Sequence, residues 1–189
     1  MDLITLHTPR IVLRKLQLRD SHDVFEYAHD PEVTRYLTWD THRTEQDSLA
    51  FIRFVLDKYD RKQPADWGLE LRETGKIIGT CGIVTIEESA CRGEIGYAMS
   101  REYWGRGLMT EVVKKVIAFG FRTLNLNRLE AICDTPNIGS SRVMEKSGMT
   151  FEGVLRQHDR IKGTFRDIKM YSILRQEFLA GLGSLVFKS

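Results

Sequence analysis

The spacing of apolar positions changes period several times along the chain, and each change marks an element. Residues 10–16, "RIVLRKL", alternate loosely and predict a first strand. From Arg19–Asp20 the spacing is helical until about Asp30, where "DP" stops it, and a short helical turn is expected after Pro31. The stretch "TEQDSLAFIRFVLDKYDRK" (44–62) predicts an amphipathic helix, with Leu49, Phe51, Ile52, Phe54, Val55 and Tyr59 on one broad side. Strand-like runs then occupy 66–72, 76–86 and 92–99; the turns "ETGK" and "EESACRG" between them predict an antiparallel meander. Helical spacing returns over 108–123, where Leu108, Val112, Val113, Val116, Ile117, Gly120 and Phe121 share a side. "RLEAICD" (128–134) reads as a strand, and "NIGSSRVMEKSG" (137–148) as a short helix with Asn137 at its N-cap and Gly148 past its end. Two more strands, about 149–160 and 164–174, precede a tail of unassigned structure.

This order predicts the α/β (α+β) class: a mixed, mostly antiparallel sheet of about seven strands with helices on both faces. No repeat, low-complexity tract or linker divides the chain, so residues 1–189 are read as a single domain, long enough to bury a substantial core. Charge removes some function classes. With 28 basic and 26 acidic side chains the net charge is +2, which gives no support to a nucleic-acid or membrane partner held by bulk electrostatics. Cys81, Cys91 and Cys133 are scattered, without C-x-x-C spacing, so neither a disulfide framework nor a structural zinc site is expected. No metal is expected, and reduced thiols fit a cytoplasmic setting. No apolar run approaches the ~18–20 residues of a membrane span, and the N-terminal stretch has no core of signal-peptide length.

The chemistry is concentrated in "EYWGRGLMTEVVKK" (102–115), where two glycines and an arginine precede an amphipathic helix. Glycines there let backbone approach a ligand closely, and the first N–H groups of a helix lack intrahelical partners. With the helix dipole they favour an anion, a phosphate above all. A P-loop would require a lysine–hydroxyl pair that is absent. "GRGLMT" approaches a dinucleotide-binding fingerprint, with Glu130 as the ribose acid. However, Thr110 replaces its third glycine, and the upstream meander does not supply parallel βαβ units.

"YWGRGLMTE" resembles the pyrophosphate loop of the GNAT acetyltransferases, [QR]-x-x-G-x-[GA]. Trp104 stands at the Gln/Arg position, Gly105 and Arg106 at the variable ones, Gly107 at the glycine and Met109 at the Gly/Ala position. Tyr-Trp-Gly-x-Gly is typical of the RimJ/RimL-like N-acetyltransferases, and further pieces follow in the same order. "TPRIVLRKLQLRD" is similar to the first strand of that branch and "GEIGYAMS" to its fourth. "NLNRLEAICDTPNIGSSRVMEKSGMTFEG" is similar to its fifth strand and following helix, and "IKGTFRDIKMYSILRQEF" to its closing strand. The resemblance covers about residues 8–178.

The resemblance implies acetyl transfer from acetyl-CoA, as cosubstrate, to a primary amine. The acceptor would be a protein N-terminus of the ribosomal-protein type or a small molecule, and a homodimer is a family expectation. It places the diphosphate on Trp104, Gly105, Arg106, Gly107, Leu108, Met109 and Thr110, and the pantetheine amides on the main chain of Tyr97, Ala98 and Met99 and on Asn137. Glu94 is the candidate general base, with an exposed strand carboxylate as its alternative; Ser140, of the N-x-x-S element, is the candidate donor to the departing sulfur and a further cofactor contact. Glu111 is read as suiting the positive helix start. His22, His29 and His42 are read as surface groups, and so is His158, with the acceptor cleft as its alternative. Trp39 is read as lining the acceptor pocket or packing in the core. A non-catalytic acyl-CoA sensor on the same fold is the alternative function.

Overall fold

The computed structural model describes residues 1–186. Its strands are β1 (Leu6–His7), β2 (Ile11–Arg14), β3 (Asp66–Leu71), β4 (Ile77–Glu87), β5 (Arg92–Met99), β6 (Arg128–Asp134), β7 (Thr150–Ile161) and β8 (Thr164–Leu174). Its helices are α1 (Ser21–Ala28), α2 (Pro31–Thr34), α3 (Glu45–Asp60), α4 (Leu108–Arg122), α5 (Ile138–Lys146) and α6 (Arg175–Val186). The strands form one sheet in the order β1-β2-β3-β4-β5-β6-β8-β7. Every neighbouring pair is antiparallel except β5 and β6.

The sheet is one strand wider than the pattern predicts, because two-residue β1 is too short to show a period. The unassigned tail is helical as α6, and residues 187–189 lie outside the described residues. The broad apolar side of α3 is also narrower than expected. Ile52, Val55 and Tyr59 are buried, whereas Phe54 is 59% exposed. This helix packs chiefly on α1, an outer layer that needs only a narrow stripe.

The central helix α4 buries Leu108, Met109, Val112, Val113, Val116, Ile117, Phe119 and Phe121. Its Gly120 lets the sheet approach: a Cβ there would meet Leu129 Cδ1 at 2.9 Å. Phe119 meets the fully buried Trp67 of β3 edge-on, with ring centroids 5.2 Å apart.

The feature that positions the site is a parting of two strands. Parallel β5 and β6 share only the pairs Arg92–Arg128, Gly93–Leu129 and Glu94–Glu130. Beyond them β5 stays with β4 as far as Met99, while β6 stays with β8 as far as Asp134. Each strand follows its other neighbour, and a wedge opens between them. One edge of β5 is therefore left with main-chain donors and acceptors that no strand satisfies.

Candidate functional site

Gly105 and Gly107 have φ of +74° and +75°, the left-handed region in which L side chains are strained. The two reversals turn the chain from the 3-10 turn at Arg101–Tyr103 into α4, with Gly107 as its N-cap. The N–H groups of residues 105–110 find no acceptor among the described residues, and the first helical bond is Glu111 N to Gly107 O. Six donors thus crowd one helix start, where the dipole adds positive potential. The side chains of Leu108 and Met109 point into the core, so these residues present only main chain. Half-exposed Trp104 donates its indole N–H to Met99 O at 2.7 Å, locking the loop to the end of β5. Exposed Arg106 lies over the Tyr103 ring and has no acidic partner among the described residues.

A carboxylate in this helix start would oppose an anion. Glu111 is countered by Arg10, at the head of β2: the Arg10 guanidinium pairs with it at 2.8 Å, and the Arg10 N–H donates to Glu111 Oε1 at 2.9 Å. Burial alone would raise the Glu111 carboxyl, but hydrogen bonds from Thr8 and Arg10 hold it below its ordinary value. Arg10 also donates to Arg106 O at 3.0 Å and so ties the loop from beneath. Its part in the site was not legible in the sequence, because 101 residues separate it from Glu111.

In the wedge, main-chain direction follows from two contacts. Ser100 N donates to Ile78 O at 2.8 Å, and Ala98 O lies against Gly79 of β4. Residues 98 and 100 therefore turn their main chain toward β4, and Tyr97 and Met99 turn theirs into the gap. Met99 O is taken by Trp104, which leaves the Met99 N–H and both groups of Tyr97. Across the gap, Asn137 caps α5 by accepting from Ser140 N at 3.1 Å. The Ser140 hydroxyl lies 2.7 Å from the Tyr97 hydroxyl, and the pair bridges the parted strands. Burial, the largest influence, pushes the Tyr97 phenol up, so it stays protonated and can donate to Ser140.

Glu94 stands where the strands part. Gly93 lies beneath Leu126 and Leu129, on the α4 side, so alternation along β5 puts Glu94 on the opposite face. Burial first, then the nearby charge of Asp159, raises its carboxyl above its ordinary value; a hydrogen bond from Thr85 opposes them, and Glu130 adds a smaller push upward. Its register partner Glu130 is held by Arg128 and Arg92, whereas Glu94 has no cationic partner among the described residues. A desolvated carboxylate without a counter-ion is suited to accepting a proton. His158 is exposed on β7 and its charge reaches Glu94, while Trp39 is partly buried against the core with its ring 5.2 Å from His42. His22 and His29 stay within the α1 region, His22 beside Glu26 and His29 on Phe25 O, and His42 bonds Ser48.

The chain matches the acetyltransferase (GNAT) domain family over residues 10–150. It is 36% identical over 174 residues to an uncharacterized N-acetyltransferase, p20, of Bacillus licheniformis, covering 92% of this chain and 98% of that one. The crystal structure of a GNAT-family acetyltransferase from Bacillus anthracis superposes with a TM-score of 0.82 at 25% identity, over 92% of this chain and 99% of that one. RimL, a ribosomal L7/L12 α-N-protein acetyltransferase solved with coenzyme A, shares the fold with a TM-score of 0.80 at 16% identity, over 90% and 98% of the two chains. No described helix is long and apolar enough to cross a membrane. The unsatisfied helix start, the parted strands and these likenesses agree: the chain belongs to the GNAT acetyltransferases and is an acetyl-CoA-dependent N-acetyltransferase.

Proposed function

We propose that the acceptor is a primary α-amine, that of a protein N-terminus or of a small molecule, and that it attacks directly within a ternary complex. The observation that carries this reading is Glu94, a desolvated carboxylate without a counter-ion at the point where β5 and β6 part. A module that only sensed acyl-CoA would have no use for it. The N–H groups of residues 105–110 fit a diphosphate, with Arg106 adding a full charge beside them. The open main-chain groups of Tyr97 and Met99, with Asn137 opposite, fit the amides of a pantetheine arm. Acetyl-CoA, when bound, supplies the acetyl thioester.

The amine must be neutral to attack. That costs about 1.4 kcal/mol at pH 7 for an α-amine of pKa ~8, and about 4.6 kcal/mol for a lysine of pKa ~10.4. Glu94 takes the proton, through a water or directly. Ser140, backed by the Tyr97 hydroxyl, donates a hydrogen bond to the sulfur that departs. The test is release of free thiol from acetyl-CoA against a panel of peptides and small amines. We expect release with α-amines, faster at pH 7 than with a blocked peptide bearing only a lysine amine. Tight acetyl-CoA binding without thiol release on any amine would overturn the reading.

Arg10 gives a second check. Arg10→Ala leaves the Glu111 charge in the helix start uncompensated and should weaken acetyl-CoA binding by roughly three- to tenfold. The loss should shrink in the double variant Arg10→Ala, Glu111→Gln, measured by calorimetry.

A further inference from the structure

Four charged side chains form a square where β5 and β6 part. Arg92 and Arg128 are register partners at one level, and Glu94 and Glu130 at the next. Gly93 lies on the α4 side, so alternation puts Arg92 and Glu94 together on the opposite face. Like charges thus stand side by side across the strands, which is unfavourable unless other partners intervene. Along each strand the arginine and the glutamate are two residues apart, about 7 Å. On β6 that gap is closed, since Arg128 Nε donates to Glu130 Oε1 at 2.6 Å. On β5 it is open. Arg92 has the same side chain at the same spacing, yet its ion pairs are with Glu87 and Glu130, and it makes none with Glu94 among the described residues.

The partners of Arg92 belong to a ladder of charges that crosses the sheet. Glu87 is its register partner on β4 and pairs with it directly, and Arg92 Nη1 is 3.5 Å from Glu130 Oε1. Beyond Glu130, Arg128 donates to both carboxylate oxygens of Glu152 on β7, at 2.8 and 2.6 Å. Glu152 accepts a further bond from Ser172 on β8 at 2.6 Å. Three carboxylates therefore hold two guanidiniums, and neither guanidinium is in surplus for Glu94. The other groups that act on Glu94 are Asp159 and His158 of β7 and the Thr85 hydroxyl of β4. Of these only His158 can carry a positive charge.

Resting on the base reading above, we infer that Glu87 and Glu130 are positioning residues that hold Arg92 away from Glu94, so that the base faces the acceptor without a counter-ion. A guanidinium beside a carboxylate favours its charged form and so weakens it as a proton acceptor. At this spacing the pairing with Arg92 is the default, as Arg128 and Glu130 demonstrate one strand away. Glu87 and Glu130 act through Arg92, by giving it two other carboxylates to bind.

The test is a cycle of variants that compares Arg92 with its two captors. In the double variant Glu87→Gln, Glu130→Gln, Arg92 loses both partners and should turn to Glu94. The Glu94 carboxyl, followed by 13C NMR and assigned with Glu94→Gln, should then titrate at least about one pH unit lower. The kcat/KM at pH 7 toward a tripeptide amide with no charged side chain should fall about three- to tenfold. Adding Arg92→Gln should restore both. In the wild-type background Arg92→Gln should move the Glu94 titration far less, because the charge it removes is already neutralised. That non-additivity separates capture of Arg92 from the mere loss of the Glu130 charge. Glu87→Gln alone, at an exposed position, should give part of the same shift and serves if the double variant does not fold. An equal effect of Arg92→Gln in both backgrounds, or a Glu94 titration that does not move in either captor variant, would overturn the inference. A titration that moves while kcat/KM stays fixed supports the capture of Arg92 and counts against Glu94 as the base.

Discussion

Gly107→Val is expected to weaken acetyl-CoA binding by at least about tenfold, or 1.4 kcal/mol, while the protein stays folded. Gly107 sits at φ +75°, where a β-branched residue is strained by about 1–3 kcal/mol. The loop must carry that strain or move, and either course misaligns the donors of residues 105–110, which depend on the reversals at Gly105 and Gly107. No packed atom lies where the new side chain would begin; the nearest is Arg10 Nη2 at 3.8 Å, so the core beneath α4 is untouched. Gly75 provides the control. It has φ +72° in the turn between β3 and β4, with nothing near its missing Cβ. Gly75→Val should lower the melting temperature comparably and leave acetyl-CoA affinity alone. Calorimetry on both variants separates strain from lost anion contacts, and unchanged affinity in Gly107→Val would remove the diphosphate assignment.

Glu94→Gln is expected to lower kcat/KM by roughly a hundredfold or more near pH 6.5, the usual scale for a lost general base. Raising the pH supplies neutral amine from solution and should restore part of the rate. Stability should move the other way. Burial raises the folded carboxyl above its unfolded value, so the ionised form is disfavoured in the fold, and the penalty sets in as pH rises through that window. Glu94→Gln removes the penalty above the window, and its melting temperature at pH 7.5 should equal or exceed that of the wild type. At pH 4, where both forms are neutral, the two should agree. A carboxylate with only a structural role would show lost stability instead.

Ser140→Ala should behave differently. It acts on a thiolate whose conjugate acid has pKa ~8.5, a tolerable leaving group, so the loss should be about tenfold and nearly flat below pH ~8. The Tyr97 hydroxyl, 2.7 Å away in the wild type, keeps a donor near the vacated position and limits the loss further. Identical pH profiles for the two variants, at saturating acetyl-CoA, would mean that the roles are assigned wrongly.

Most elements were legible because each rests on local signals. The run Leu108 to Phe121 has helical period, Asn137 is a capping residue, and "ETGK" and "EESACRG" punctuate a two-residue alternation. The glycines of "WGRG" were legible for the same reason, since a left-handed backbone needs them wherever it occurs. β1 left no trace, because two residues cannot display a period. The buried stripe of α3 stops short of Phe54, because only packing decides which apolar residues a helix buries.

The site divides along the same line. By itself the sequence determined a helix start rich in free donors, a strand carrying Glu94, and a capped helix carrying Ser140. Tertiary structure alone decided that β5 and β6 part after three pairs, and so which main-chain groups of Tyr97 and Met99 are free. It alone joined Tyr97 to Ser140, placed Arg10 against Glu111, and set Arg166 3.8 Å from Asp134. Each of these contacts spans at least 32 residues of chain and depends on how strands and helices pack together, which no local pattern encodes. Periodicity and glycine conformation act within a few residues; charge pairing and desolvation act across whatever the fold brings together.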